Sequence, residues 1–309
     1  MSAAVTLIAV SDLHLRLKPP IAREAEDNWL EAQLRPLRQL DRLQRKYEVP
    51  IVVAGDLFDR YVGHPELINW VLENLVLVYA VPGNHDLPEH RFDDIKRSSF
   101  YTLVKAGTVK LLEPDMPIEV DVNGRFLRLW GFPCGFELKP NPSPFDMCQE
   151  IAVVHAYIWT GKADTGFYGA PEDKNLKSYK SKIVGYDAVI LGDNHIGFAC
   201  QVGETAIINC GGFQQLTHPD ENHLPSAWLL YSDNSVSRVR LDVSEDKFSK
   251  PTEFDRIVKE SKGKALVEEL RMLGNVSGNF KQRVEQEMTR RNVNSEVRAI
   301  VSRGLESVL

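Results

Sequence analysis

The chain contains 309 residues, 43% of them hydrophobic and 26% charged, and its formal net charge at pH 7 is −6. These proportions are typical of a globular protein with a full core, and the net charge gives no global electrostatic reason to bind nucleic acid or anionic membranes. The four cysteines form no C-x-x-C pair, and no apolar run is long enough for a signal peptide or a membrane span. We therefore expect reduced cysteines, a cytoplasmic location and no membrane partner.

The first third of the chain alternates between strand and helix patterns. Apolar, β-rich runs predict buried strands at Val5–Val10, 51–55 and 75–81. Amphipathic periodicity predicts helices at 27–47, 65–73 and 94–106. Because strands that are separated by helices pair in parallel with right-handed crossovers, this order predicts a parallel sheet.

Hairpin patterns replace this alternation in the middle of the chain. Asn123-Gly124 lies between two alternating runs and is the strongest short signal for a two-residue hairpin turn. Further strands are predicted at 151–155 and 187–193, and two more hairpins at 198–210 and 227–241. The fold class is therefore α/β, with a mixed sheet or β-sandwich flanked by helices.

The character of the sequence changes after residue 243. Phe280, Val284 and Met288 recur at four-residue spacing, and polar breaks at 274–275 and 292–294 separate helical patterns. We predict a catalytic domain at 1–243 and a small helical appendage at 244–309.

Polar side chains follow five of the predicted strands. Each group alone is ordinary turn chemistry, and a single histidine at a strand end is more often a buried structural residue. Together they are unusual, because ligands gather at the carboxyl ends of parallel strands. The residues are Asp12 and His14, Asp56 and Asp59, Asn84 with His85 and Asp86, His155, and Asp193 with His195.

The types of these side chains indicate a metal centre. Carboxylate and amide oxygens are combined with imidazole nitrogens and no thiolate, which suits Mn²⁺, Fe²⁺ or Zn²⁺. The ligands are more numerous than one tetrahedral ion needs. Two ions bridged by a carboxylate would use them all.

These blocks resemble the calcineurin-like metallophosphoesterases, whose motifs are D-x-H, G-D-x-x-D, G-N-H-[DE], a lone H and G-H-x-H. The similarity covers about residues 5–243 and implies a β-sandwich flanked by helices. It also implies hydrolysis by a hydroxide held between two divalent ions, with Mn²⁺ favoured and Mg²⁺, Fe²⁺ or Zn²⁺ as alternatives.

The resemblance assigns a role to each matching residue. Asp12, His14 and His195 would hold the first ion, Asp56 would bridge, and Asn84 and His155 would hold the second. His85 would be the catalytic histidine and Asp86 would orient it. Asp193 departs from the family, which most often has histidine there. A carboxylate at this position would bind the second ion and favour Mn²⁺ or Mg²⁺ over Zn²⁺, or would leave that ion weakly held.

Within the family the chain looks most like the SbcD-type DNA repair nucleases and their phage relatives. This resemblance implies a DNA substrate, with exonuclease and endonuclease action both open. It also implies an SMC-like coiled-coil ATPase of the SbcC type as a partner, bound through the C-terminal helices. A homodimer is left open. Arg91 and Tyr157 are predicted substrate contacts, and the basic runs at 35–46 and 174–182 are weaker nucleic-acid signals.

Two other functions fit the same residues. One is a small-molecule phosphodiesterase or phosphomonoesterase that acts on nucleotides or lipid headgroups. The other is a binding scaffold that has lost catalysis, which the presence of His85 and nearly all the ligands disfavours.

Overall fold

The computed structural model describes residues 3–145, 147–167 and 170–250, together with Met288. Its described residues up to 166 and from 170 to 249 form one compact unit. Met288 apart, the predicted helices of the appendage at 244–309 lie outside the described residues. They and the boundary after residue 243 therefore stay predictions.

Two six-stranded sheets form the centre of this unit. The strands, in chain order, are β1 (Val5–Val10), β2 (Ile51–Ala54), β3 (Val78–Val81), β4 (Val109–Leu111), β5 (Ile118–Val122), β6 (Arg125–Phe132), β7 (Cys148–His155), β8 (Ala188–Gly192), β9 (Phe198–Val202), β10 (Thr205–Asn209), β11 (Ser226–Tyr231) and β12 (Val236–Arg240). The first sheet has the order β12-β11-β1-β2-β3-β4, and the second has the order β5-β6-β7-β8-β10-β9. The predicted α/β fold with a β-sandwich is confirmed.

Both sheets combine parallel and antiparallel pairing: the first sheet is antiparallel on one side only, and the second is antiparallel at both edges. β1 to β4 pair in parallel, as the alternation of strands and helices predicted, and β11 joins β1 in the antiparallel sense. β6, β7, β8 and β10 are parallel, and β5 and β9 are antiparallel edge strands. The hairpin at Asn123-Gly124 is confirmed as the turn between β5 and β6.

Three helices connect the strands of the first sheet: α1 (Trp29–Tyr47), α2 (Pro65–Asn74) and α3 (Ser99–Ala106). The Asn28 side chain caps α1 by accepting the backbone N–H of Glu31. The helix predicted at 94–106 was wrong in its first part, because Ser98 caps α3 and the preceding Phe92–Arg97 is a 3₁₀ helix.

The main core lies between the sheets and under these helices. Its buried side chains include aliphatic residues of the central strands and of the helices, together with Phe58, Phe100, Phe213 and Trp228. A second, smaller cluster includes Trp130, Phe132, Tyr179 and Tyr186. Together the two clusters bury most apolar residues of the parallel strands, which explains why those strands read as continuous apolar runs.

The sheets approach each other closely where β2 and β8 end. A Cβ atom on Gly192, the last residue of β8, would lie 2.0 Å from the carbonyl oxygen of Ala54, the last residue of β2. A Cβ atom on Gly55 would lie 2.0 Å from Nδ1 of His155. Only glycine permits this distance, so these positions set how near the loops of the two sheets come.

We predict that Gly192→Ala lowers the free energy of unfolding by about 3 kcal/mol or more, because a backbone atom blocks the added methyl group. Denaturant unfolding measures this change. Gly124→Ala is the control: its Cβ meets nothing within 4 Å and only its φ of +81° is unfavourable, at a cost of about 1–2 kcal/mol. Equal losses in the two variants would contradict the close approach.

Candidate metal centre and active site

The side chains predicted from five strand ends meet at one edge of the sandwich. β1, β2 and β3 of the first sheet end beside β7 and β8 of the second, and the loops that follow carry the predicted ligands. Among the described residues, ligand atoms within 4.8 Å of one another form three groups. These are Asp12 with His14 and His195, Asp12 with Asp56 and His155, and His14 with Asp59 and His85.

The backbone at this edge adopts an uncommon conformation. Asp12, His14, Asp56 and Asp193 have φ values of 54°, 45°, 52° and 76°. Such left-handed conformations at residues other than glycine cost about 1 kcal/mol or more each and are concentrated at functional sites. Here they let Asp12, His14 and Asp56 place their side chains in the interior within short loops.

The first group joins the β1 loop to the β8 loop. Nε2 of His14 lies 3.3 Å from Nε2 of His195, which lies 3.8 Å from Oδ1 of Asp12. Asp12 and His14 are buried, whereas about half of the His195 side chain is exposed. The Ser11 hydroxyl donates to Oδ2 of Asp12 at 2.5 Å and holds this carboxylate in place. These residues form one side of a cation site that opens to solvent at His195.

The second group surrounds His155. Its Nδ1 lies 2.8 Å from the carbonyl oxygen of Ala54, which can only accept, so Nδ1 carries a proton. Nε2 then faces Oδ1 of Asn84 at 2.9 Å and Oδ1 of Asp56 at 3.6 Å. Burial lowers the pKa of His155, but Asp56, Asp193 and Asp12 outweigh it and raise the pKa to about 9. Nε2 of His155 is buried among oxygen atoms that can only accept hydrogen bonds or bind a cation. A divalent ion at this position would bind the nitrogen and the oxygens together.

Asp56 lies between the two groups. Its Oδ2 is 3.7 Å from Nε2 of His14, and its Oδ1 is 3.6 Å from Nε2 of His155. Burial raises the pKa of Asp56, but the positive charges of His155, His85 and His14 outweigh it, and the net pKa is lowered. The two carboxylate oxygens thus face different histidines, which is the geometry that a bridging ligand needs.

Asp193 joins the centre partly through its backbone. Its N–H donates to Oδ1 and Oδ2 of Asp12 at 3.1 and 3.3 Å. Its Oδ1 lies 3.9 Å from Nε2 of His155, and about a third of its side chain is exposed. None of the three close groups among the described residues includes Asp193. The carboxylate therefore stands on the solvent side of the second group.

His85 lies against both groups. Its backbone N–H donates to Oδ1 of Asp56 at 2.9 Å, and its ring meets the His14 ring edge-on with centroids 4.8 Å apart. Nδ1 lies 2.7 Å from the carbonyl oxygen of Asp59 and must donate to it, which leaves Nε2 for a substrate. Burial lowers the pKa of His85, but Asp56 and Asp59 outweigh it and raise the pKa.

The prediction that Asp86 orients His85 needs correction. The Asp86 carboxylate is fully buried and accepts the backbone N–H groups of Leu57, Phe58 and Gly83 at 2.9–3.1 Å. It therefore ties the loop after β2 to the loop after β3. The ring of His85 is oriented by the Asp59 carbonyl instead, a contact that no side-chain pattern in the sequence could indicate.

The two predicted substrate contacts are not brought into either group. The Arg91 guanidinium is mostly exposed and lies 3.7 Å from a carboxylate oxygen of Asp94. Tyr157 is half-buried two residues after His155. Their contact with a substrate stays a prediction.

Several supporting residues were missed in the sequence. Arg16 pairs with the Asp59 carboxylate at 2.7 Å, and the Gln214 amide donates to the Leu13 carbonyl at 2.6 Å. The buried Asn194 amide donates to the carbonyls of Ile158 and Thr165 and so joins the β8 loop to the β7 loop. Of these residues, only Asn194 could have been recognised in the sequence, because it lies between the predicted ligands Asp193 and His195.

The calcineurin-like phosphoesterase family matches residues 5–197, more than half of the chain. No curated protein matches it. Solved structures of similar fold include a novel archaeal phosphodiesterase, 13% identical with a TM-score of 0.38, where the alignment covers 76% of this chain and 99% of that one. A putative 5′-nucleotidase from Staphylococcus aureus is 15% identical, with a TM-score of 0.47 and coverage of 84% and 58%. The NAD nucleotidase of Haemophilus influenzae is 12% identical, with a TM-score of 0.44 and coverage of 94% and 61%.

We predict that Asp86→Ala lowers the free energy of unfolding by about 3 kcal/mol or more, because three buried N–H groups lose their acceptor at about 1–3 kcal/mol each. Asp86→Asn keeps one acceptor oxygen and should lose less. Chemical denaturation compares the variants. A fully stable Asp86→Ala protein would contradict the structural role of this carboxylate.

We predict that Asp193→His shifts metal selectivity towards Zn²⁺ over Mn²⁺ by about tenfold or more, because imidazole replaces a hard oxygen ligand. Calorimetric titration of each ion, with elemental analysis of bound metal, measures the shift. Asp164→His, at an exposed position, is the control. Unchanged selectivity and occupancy in Asp193→His would show that Asp193 is not a ligand.

Proposed function

The chain belongs to the calcineurin-like phosphoesterase family, and from this premise we propose that it is a DNA nuclease of the SbcD type. The observation that carries phosphodiester hydrolysis is the position of His85, whose backbone binds Asp56 and whose ring touches His14. A proton donor thus contacts one residue of each ligand group, Asp56 of the second and His14 of the first. The enzyme class is that of the metallophosphoesterases, and the DNA substrate is the proposed part.

The residues present fit two divalent ions. Asp12, His14 and His195 would hold one ion, and Asn84 with His155 would hold the other, with Asp56 between them. When bound, such ions lower the pKa of water and neutralise charge on a phosphoryl group. We propose Mn²⁺ as the ion, because oxygen ligands predominate if Asp193 takes part.

The protein's own side chains would complete the reaction. With Nδ1 held by the Asp59 carbonyl, the His85 ring presents Nε2 to the oxygen that leaves phosphorus and can donate a proton to it. Asp56 fixes the main chain of His85, so the same carboxylate that faces the metal ligands also positions the proton donor. Preorganisation of this kind lowers the barrier without movement during the reaction.

The proposed partners follow from the SbcD resemblance. We propose an SMC-like ATPase that binds the predicted helices beyond residue 250. The four cysteines are free thiols, which supports a cytoplasmic setting. No helix in the described part of the chain combines the length and apolar character that crossing a membrane requires.

A small-molecule phosphodiesterase is the second candidate. The net charge of −6 favours it, because a polyanionic strand is repelled by an acidic protein unless local cations attract it. Linear DNA, bis-p-nitrophenyl phosphate and cyclic nucleotides, each assayed with Mn²⁺, separate the two. Hydrolysis of small diesters without any cleavage of DNA would refute the nuclease proposal.

We predict that His85→Ala lowers phosphodiester cleavage by at least about a hundredfold, the usual contribution of a positioned general acid. Metal content and unfolding should stay near the wild type, since no ligand is removed. Initial rates on bis-p-nitrophenyl phosphate measure the loss. His64→Ala, at an exposed histidine, is the control, and retained activity in His85→Ala would remove this histidine from the mechanism.

We predict that Asp56→Ala loses bound metal as well as activity, because the two oxygens of this carboxylate face His14 of the first ligand group and His155 of the second. Elemental analysis after dialysis against Mn²⁺ gives the ratio of metal to protein. A variant that keeps two ions per chain would show that Asp56 does not bridge.

A further inference from the structure

We propose that Arg238 and Arg240 of β12 bind a second phosphate of the substrate strand, at a site outside the metal centre. The inference rests on the proposed nuclease function and names how its substrate is recognised. The two arginines lie on an edge strand of the first sheet, and neither was singled out by the sequence motifs.

The sheet register places these arginines near the metal edge. Trp228 of β11 pairs with Ala9 of β1 on one side and with Arg238 on the other. Ala9 lies three residues before Asp12. Arg240 is opposite Ser226 at the start of β11, and residues two apart on a strand point to the same face. The two guanidinium groups therefore follow one face of β12 towards the metal edge.

Contacts hold the Arg238 side chain in position. Its Nε donates to the Ser226 hydroxyl at 2.7 Å and its Nη2 donates to the Leu224 carbonyl at 2.8 Å. Its guanidinium carbon lies 5.3 Å from the ring centroid of Trp228. These bonds use two of the five N–H groups of an arginine. The others remain for an anion, and a cation held in advance loses little entropy on binding.

The first ligand group lies next to this cation. A Cβ atom on Gly197, two residues after His195, would lie 3.6 Å from Nη2 of Arg238. His223 stands beside both: its Nε2 is 2.7 Å from the Gly212 carbonyl, and the Gly212 N–H donates to the His195 carbonyl at 3.1 Å. Burial lowers the pKa of His223, and Arg238 and His195 lower it further, as expected for close positive neighbours.

The charges of Arg238 and Arg240 are not neutralised by the described part of the protein. Neither guanidinium forms an ion pair with a carboxylate of the described residues, in contrast to eight other arginines: Arg16, Arg23, Arg35, Arg38, Arg45, Arg91, Arg97 and Arg128. Burial lowers the pKa of Arg238, and Arg240 lowers it further. Two like charges side by side are stabilised by an anion.

A phosphodiester strand is the anion that matches this arrangement. A small diester has one phosphate, which would bind at the metal centre. It has no further phosphate for a second cationic site. A strand carries another phosphate at each nucleotide and would reach both sites. The net charge of −6 is expected to repel a nucleic-acid strand. The two arginines would offset this repulsion locally, because they attract the phosphate backbone where it binds.

The test compares Arg238→Gln/Arg240→Gln with the wild type on two substrates. We expect KM for a single-stranded oligonucleotide to rise about tenfold, while hydrolysis of bis-p-nitrophenyl phosphate is unchanged. The dependence of log Kobs on log salt for oligonucleotide binding should become shallower by about 0.7, since single strands release about 0.7 counterion per phosphate contact and the variant loses one such contact. Binding is measured by fluorescence anisotropy without added metal, so it does not depend on cleavage.

Two further variants keep the result interpretable. Lys105→Gln/Arg125→Gln removes the same charge from exposed positions of α3 and β6 and should leave all three measurements near the wild type. Arg240→Gln alone, at a residue with no described side-chain hydrogen bond, should give part of the effect without disturbing the contacts of Arg238.

Each outcome decides a separate point. Unchanged oligonucleotide binding and KM in the double variant would overturn the second phosphate site, as would an equal loss on both substrates in a variant that unfolds like the wild type. A wild type that binds no DNA would overturn it too. A wild type that binds the oligonucleotide through these arginines but hydrolyses neither substrate would contradict the proposed nuclease function and leave the binding site standing.

Discussion

The buried carboxylate of Asp56 is the interaction on which the rest of this structure depends. It is almost without solvent contact, and His14, His85 and His155 surround it. A buried negative charge is costly unless cations and hydrogen bonds compensate it. The histidines and the His85 N–H compensate this negative charge, and bound divalent ions would compensate it further. Catalytic chemistry and the stability of this edge therefore share one group.

Backbone contacts bring the groups around Asp56 together. Glycine at 55 and 192 lets the ends of β2, β7 and β8 approach to distances that any side chain would block. Asp86 then binds the N–H groups of two loops, and its full burial marks it as part of this support. Such contacts stabilise the loops whose residues adopt left-handed conformations. The main chain of the site is thus held by these hydrogen bonds, and its ligand side chains converge from both sheets.

Charge is distributed unevenly around this centre. The chain as a whole is acidic, and most arginines of the described residues form ion pairs with nearby carboxylates. On β12, however, Arg238 is held by Ser226, Leu224 and Trp228 and has no acidic partner among the described residues. An acidic protein with a cationic face repels polyanions in general and attracts them at that face. This asymmetry bears on the choice between a strand and a small diester more directly than the net charge does.

The sequence by itself determined the α/β fold, the positions of most strands and the set of side chains at their ends, whereas the order of the strands within each sheet came from the structure. Apolar periodicity and turn residues are local properties, and parallel strands must end at a common edge, so Asp12, His14, Asp56, Asn84, His155 and His195 could be predicted to meet there. The tertiary structure alone decided that Asp86 binds backbone N–H groups, that the Asp59 carbonyl orients His85, and that Arg238 lies beside Gly197. Those contacts join residues distant in sequence or use main-chain atoms, which every residue type carries. The pattern of side chains in the sequence therefore cannot predict these contacts.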